Sequence, residues 1–232
     1  VRGGAARGGR EVPAGAGARG AGNTRGMMAE ASIRNAYVAT CRTAEQAAAV
    51  AREHGLDVRR TTPLLVEAKG NHAAVETFLA AAAADGDGDR ALSLLELVTK
   101  KDLHDTSCEV FDDHLRHTAG TEPRVLGPRV GMELLSTYRS YLQQAIPAAD
   151  AARFRENPQL LVAWCRDSLR MAEAYNLRLV PIRPKGVWES RVVDPTSRDL
   201  FFVATCRSLG IPAVPDAVTG KAAGMIASSA FP

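Results

Sequence analysis

Aromatic residues make up only 5% of the 232 residues of this chain, and long apolar runs are missing altogether. A membrane-spanning helix needs about 18 or more consecutive apolar residues, so we expect no membrane span. Residues 1–26 also lack the apolar core of a secretory signal. These absences leave the compartment of the protein unknown.

The net positive charge of the chain comes from its N-terminal segment. The formal net charge is +3; residues 1–26 hold five Arg and one Glu, which is +4, so the remainder carries −1. The remainder lacks the basic character of nucleic-acid-binding domains, and we expect no nucleic-acid partner. Because the Gly, Arg and Ala composition of the segment cannot form a core, we predict a disordered leader over residues 1–27. The alternative, an RGG-like RNA-binding tail, lacks aromatic residues for stacking.

Cysteine and histidine are few, and their spacing does not suit a metal site. The four cysteines, at positions 41, 108, 165 and 206, include no C-x-x-C pair, so we expect buried reduced thiols, with disulfides as the alternative. His104, Asp113, His114 and His117 lie close together in the sequence but form no H-E-x-x-H motif. We interpret them as the solvated polar face of an amphipathic helix. No metal and no cofactor are therefore expected.

Helical patterning dominates the chain from residue 28 to residue 176. Thr43 with Gln46 matches a capping box, and Asn71 is expected to cap the next helix. A further helix is predicted from Pro128 to Pro147, where apolar residues recur in helical rhythm. The fold class is therefore mainly α: a helical bundle or paired-helix region over residues 28–150, and a second domain over residues 151–232.

The most apolar predicted helix begins near Ser197. Ser197 is a good N-cap residue, Gly210 is a natural residue just after the helix end, and Pro212 blocks continuation. Apolar residues occur all around this helix, which predicts that it is buried. Ala213 and Val214 then begin a strand, so the pattern indicates a central helix leading into a sheet.

The end of this helix carries a resemblance to a known family. Residues 207–213, Arg-Ser-Leu-Gly-Ile-Pro-Ala, resemble the signature that follows the nucleophile helix in transglutaminase-like domains. The resemblance extends to residues 157–175 and 186–191 and, more weakly, to about Leu64, most closely in large bacterial proteins. It implies a papain-like cysteine-hydrolase architecture, here an incomplete α+β core over residues 151–232. It also implies relatives that are often sent to the bacterial envelope.

The residues needed for the family chemistry are not in the expected places. The family's nucleophilic Cys aligns with Pro195 or, with a two-residue gap, with Ser197, and no His follows His117. The His and Asp that the family places on later strands are therefore missing. Ser197 is the one candidate catalytic residue, and a helix cap is its alternative role. Two hypotheses follow: a truncated transglutaminase-like fragment that is inactive alone, or a non-enzymatic helical scaffold or interaction module with a protein or peptide partner.

Overall fold

The computed structural model describes residues 16–172, 174, 176, 180–215 and 222–224. This part of the chain is mainly α-helical, as the sequence predicted. The helices are α1 (Ala16–Thr40), α2 (Ala44–Glu53), α3 (Val58–Ala68), α4 (His72–Ala84), α5 (Gly88–Glu96), α6 (Lys100–Asp105), α7 (Cys108–Arg116), α8 (Pro123–Leu126), α9 (Arg139–Ala145), α10 (Ala148–Glu156), α11 (Gln159–Ser168), α12 (Pro184–Ser190) and α13 (Pro195–Ser208). The strands are β1 (Arg170–Met171), β2 (Val192–Val193), β3 (Ala213–Pro215) and β4 (Ala222–Gly224).

The leader for which we predicted disorder is described only in part. Residues 1–15 lie outside the described residues, and residues 16–27 lie in α1. Every side chain from Gly26 to Thr40 is exposed. A helix needs only local backbone hydrogen bonds, so a segment with Ala and Arg can be helical without burying a side chain. This segment adds nothing to a core over those residues, and it forms a unit separate from residues 41–232.

The first helices after the leader pack around one hydrophobic cluster. The Thr43 capping box is confirmed, with both of its hydrogen bonds to Gln46 formed. The sequence analysis missed α3, which Asp57 caps and which contains Pro63. Asn71 does not cap α4 through its side chain, which instead donates to the carbonyls of Leu103 and Thr106. The cluster includes Leu65, Val75, Phe78, Leu79, Leu92, Leu95, Phe111 and Leu126.

A second hydrophobic cluster surrounds α13. All residues from Asp199 to Leu209 are buried, which confirms the predicted burial of this helix. Its end is a Schellman motif, in which the Ile211 amide donates to the Cys206 carbonyl while Gly210 adopts a φ of 79°. The predicted strand follows as β3, which pairs antiparallel with β4, whereas β1 pairs parallel with β2. The cluster also takes in α9, α10 and α11 through Leu142, Phe154, Leu161 and Cys165.

The helix predicted from Pro128 to Pro147 is wrong in its first half. Residues 127–138 are irregular, and the helix begins only at Arg139. Backbone carbonyls in the irregular segment accept hydrogen bonds from arginine side chains, including Arg129 to the Gly131 and Glu133 carbonyls. Asp113 then accepts hydrogen bonds from the Arg139 and Ser140 amides at the start of the helix. Contacts from distant parts of the chain therefore override the helical pattern.

The solvated polar face predicted for His104, Asp113, His114 and His117 is wrong at Asp113 and His114, whereas His104 and His117 are partly exposed. His114 is fully buried and Asp113 is 7% exposed. The His114 ring lies edge-on to Tyr138, with 4.7 Å between ring centroids, and its Nδ1 accepts a hydrogen bond from Arg139. Asp113 and His114 face inward, where their side chains contact residues at the start of α9. No group of three or more potential metal ligands occurs among the residues that the structure describes.

Helix α11 begins after Asn157, whose side chain accepts a hydrogen bond from the Gln159 amide, and it ends at Ser168. Residues 177–179 lie outside the described residues, and residues 180–182 are irregular. None of the helices described is long and apolar enough to cross a membrane.

Arg139 joins the two hydrophobic clusters. Its guanidinium is completely buried and donates to the carbonyls of Val125, Leu126 and Gly127, to Thr118 Oγ1 and to His114 Nδ1. Burial lowers the pKa of Arg139 from its ordinary value. A buried cation is tolerated only where its N–H groups find acceptors, so this arrangement fixes α7, α8 and α9 relative to one another.

We expect Arg139→Lys to destabilise the fold by about 3 kcal/mol, because a lysine ammonium cannot span the same set of acceptors and leaves buried carbonyls unpaired. Urea unfolding followed by circular dichroism measures this change. Arg166→Lys is the matched control, since the Arg166 side chain is 72% exposed. Equal unfolding midpoints for the two variants would contradict the role of Arg139.

His114 should make stability depend on pH. Burial and the neighbouring Arg139 hold the pKa of His114 well below its ordinary value, so it stays neutral in the folded chain. The unfolded chain binds a proton at His114 below pH of about 6.5, so stability falls as pH falls through that value. Relative to His114→Asn, the wild type should lose about 1.4 kcal/mol more between pH 7.5 and pH 5.5. Parallel pH profiles of urea midpoints for the two proteins would refute this.

Candidate functional site

The N-terminal turn of α13 is the place where the resemblance puts a nucleophile. Asp194 is the N-cap, and its Oδ1 accepts a hydrogen bond from the Ser197 amide at 2.9 Å. Ser197 is therefore not the helix cap that the sequence predicted; it lies three residues further along. The reason is Pro195, whose fixed φ and missing N–H suit the first helical position.

The hydroxyl of Ser197 is buried and fully hydrogen-bonded. It donates to Asp194 Oδ2 at 2.6 Å and accepts from the Ile182 amide at 2.9 Å. Asn176 Nδ2 donates to the same Asp194 oxygen at 2.7 Å. Burial alone would raise the pKa of Asp194, but these hydrogen bonds hold it below its ordinary value. Asp194 is thus an ionised carboxylate with its hydrogen bonds made, and the Ser197 hydroxyl is held against it.

No histidine is hydrogen-bonded to this hydroxyl in the described part of the chain. All five histidines precede residue 118. Both ring nitrogens of His114 are occupied, since Nδ1 accepts from Arg139 and Nε2 lies 3.1 Å from the Ser136 carbonyl oxygen. Serine needs a general base in order to attack a carbonyl carbon. Among the described residues, Ser197 therefore has a structural contact with the N-cap Asp194 and no histidine partner.

Open space at the start of α13 lies beside Thr196. This side chain is exposed and lines a cavity of about 220 Å³. The other lining residues are Val130, Gly131, Met132, Pro181, Asp199, Leu200 and Pro215. The sequence analysis missed this site, because most of its walls come from segments far apart in the chain.

A second, more polar cavity of about 630 Å³ shares Pro181 with the first. It is lined by Ser136, Thr137, Val180, Ile182, Arg183, Lys185, Gly186 and Glu189. We call the two adjoining cavities the α13 cleft. Met132 and Val180, at 88% and 63% exposure, leave large apolar side chains open to solvent there.

Cys206, the cysteine nearest to Ser197 in the sequence, offers no alternative nucleophile. Cys206 lies deep in α13 and is 1% exposed. Burial raises its pKa to about 12, with Arg207 opposing that shift. Burial likewise raises the pKa of Cys165, which belongs to the same cluster. Both are inert thiols at neutral pH, because the thiolate is the reactive form.

Comparisons with protein-family models, curated proteins and solved structures found no match. The transglutaminase-like resemblance therefore depends on the residues of this chain alone.

We expect iodoacetamide to leave Cys206 unmodified in the folded chain, since its thiol is both buried and protonated. Cys41 and Cys108 are only half-buried and should label first. Peptide mapping by mass spectrometry distinguishes the sites, and labelling in urea, where all four cysteines should react, is the control. Modification of Cys206 at the rate of Cys41 in buffer would contradict the buried position.

Proposed function

We propose that this chain carries part of a transglutaminase-like fold whose nucleophile position has become structural, and that it works as a non-enzymatic binding module for a protein or peptide. The observation that carries the proposal is the closed hydroxyl of Ser197. A nucleophile must reach its substrate, but this oxygen is buried with both of its hydrogen bonds made inside the chain.

The signature stretch has a physical role that supports the resemblance without requiring chemistry. Arg207 is 5% exposed and donates to the carbonyls of Gly127, Arg129 and Ala213. Gly210 supplies the positive φ that the Schellman motif needs, and Ala213 is buried in β3. Arg-Ser-Leu-Gly-Ile-Pro-Ala therefore encodes a buried arginine clamp, a helix end and a strand start. This stretch can therefore be retained for its structural role in a chain that has no catalytic activity.

Binding is supported by the α13 cleft. Its apolar part adjoins the first turn of α13, where the family would hold its substrate, and its rim exposes Met132 and Val180. Exposed large apolar side chains beside a cavity are typical of interaction sites. The cleft offers contacts for a partner, while the nucleophile position offers no reactive atom.

Neither transamidase nor hydrolase chemistry is expected from the wild-type chain. It should incorporate no amine probe into a Gln-donor peptide, and a fluorophosphonate should not label Ser197. The physical reason is that the hydroxyl is buried, is held by Asp194 and the Ile182 amide, and has no histidine partner among the described residues to activate it. Amine incorporation, or fluorophosphonate labelling that Ser197→Ala abolishes, would refute the proposal.

Adjacent cysteine substitutions test the geometry behind it. Thr196→Cys places a thiol in the open cavity at a helix N-terminus, which lowers a thiol pKa, whereas Ser197→Cys places one in the closed position. Iodoacetamide should modify position 196 at least tenfold faster than position 197, measured by peptide mapping. Equal rates in two folded variants would show that position 197 is open.

A further inference from the structure

The two ends of the α13 cleft differ in chemistry. The end beside Thr196 is walled mainly by Val130, Met132, Leu200 and Pro215. The other end carries two exposed cations, Arg183 just before α12 and Lys185 within it. Pro181 lines both ends, so the two cavities lie side by side.

The size of the apolar end limits what it can hold. At about 220 Å³ it falls below the roughly 300–1,000 Å³ of typical small-molecule sites. This end alone therefore has room for one apolar side chain and not for a whole cofactor or drug-sized molecule. Met132, at 88% exposure, is flexible and can close over such a side chain.

The charges of the cleft favour an anionic partner at the polar end. Arg183 makes no ion pair or side-chain hydrogen bond with any residue that the structure describes. Lys185 lies 3.9 Å from Glu189, which also accepts a hydrogen bond from the Tyr141 hydroxyl. In the apolar end, the carboxylate of Asp199 is already paired with Arg198 at 2.8 Å. The Lys185 ammonium also lies 4.9 Å from the centroid of the Tyr141 ring, so Arg183 supplies the uncompensated positive charge at the polar end. The negative charge of Asp199, in contrast, is paired within the chain.

We propose that the α13 cleft binds an acidic polypeptide segment. One apolar side chain of that segment enters the cavity beside Thr196 and Leu200, and flanking carboxylates meet Arg183 and Lys185. The inference rests on the proposed function in taking the cleft as the binding site, and it adds the chemistry of the partner. Carboxylates on surface cations contribute mainly to specificity and association rate, whereas the buried apolar anchor contributes most of the affinity.

The test is to pan a random peptide library displayed on phage against the full chain. Enriched peptides should combine an apolar residue with Asp or Glu, and a fluorescein-labelled copy should bind in an anisotropy titration. Thr196→Trp, which fills the cavity, should weaken binding at least tenfold. Arg183→Glu with Lys185→Glu should do the same and should reduce the salt dependence of the dissociation constant.

Matched controls keep the result specific to the cleft. Thr77→Trp changes another exposed helical threonine, and Arg166→Glu reverses an exposed charge; neither residue lines the cleft, and both variants should bind like the wild type. Met132→Lys, at an exposed position, replaces Thr196→Trp if that variant does not fold.

Enrichment of basic peptides, no enrichment at all, or equal losses in control and cleft variants would each overturn the inference. Binding of anionic lipid vesicles or RNA through the same cleft residues, without peptide binding, would overturn it as well. The peptide-binding assay does not depend on the reactivity of Ser197. Failure to bind peptide would overturn this inference but would not change the observation that Ser197 is closed. Labelling of Ser197, in contrast, would refute the proposed function alone.

Discussion

The fold depends on two buried guanidiniums that share one backbone carbonyl. The Gly127 carbonyl accepts from Arg139 Nη2 at 3.1 Å and from Arg207 Nη1 at 2.8 Å. Burial lowers the pKa of both arginines. Burying such cations is costly unless their N–H groups are satisfied, and here backbone carbonyls supply most of the acceptors. Arg139 and Arg207 belong to helices of the second cluster, whereas Leu126, next to Gly127, belongs to the first. These contacts therefore join the two hydrophobic clusters into one unit.

The same network shapes the α13 cleft. Arg129 pairs with the buried Asp102 and donates to the carbonyls of Gly131 and Glu133. Glu133, in return, accepts from the Val130 and Gly131 amides. The irregular segment that lines the apolar end is therefore held by side chains rather than by helical hydrogen bonds. A loop fixed this way can present a preformed wall to a ligand, which reduces the ordering cost of binding.

Local signals in the sequence predicted what depends on neighbouring residues. Thr43 and Gln46 form their capping box, and Gly210 ends α13, because each motif is complete within a few residues. The sequence could not show that His114 turns inward or that residues 127–138 leave the helical path. Those outcomes depend on Arg139 and Arg129, whose partners include residues 21 to 27 positions away in the chain. The cleft escaped prediction for the same reason, while the role of Ser197 was misread because Pro195 and Asp194 move the helix start.

Ser197 lies where the resemblance would place a nucleophile, and the contacts that it makes are structural. Its hydroxyl links Asp194, at the start of α13, to the Ile182 amide, next to Pro181. Pro181 lines both cavities, so the Ser197 hydroxyl ties the segment between them to the start of α13 through the Ile182 amide. A free nucleophile at this position would have to release both hydrogen bonds and loosen that segment. The hydroxyl of Ser197 cannot do both, and in this structure it holds the segment in place.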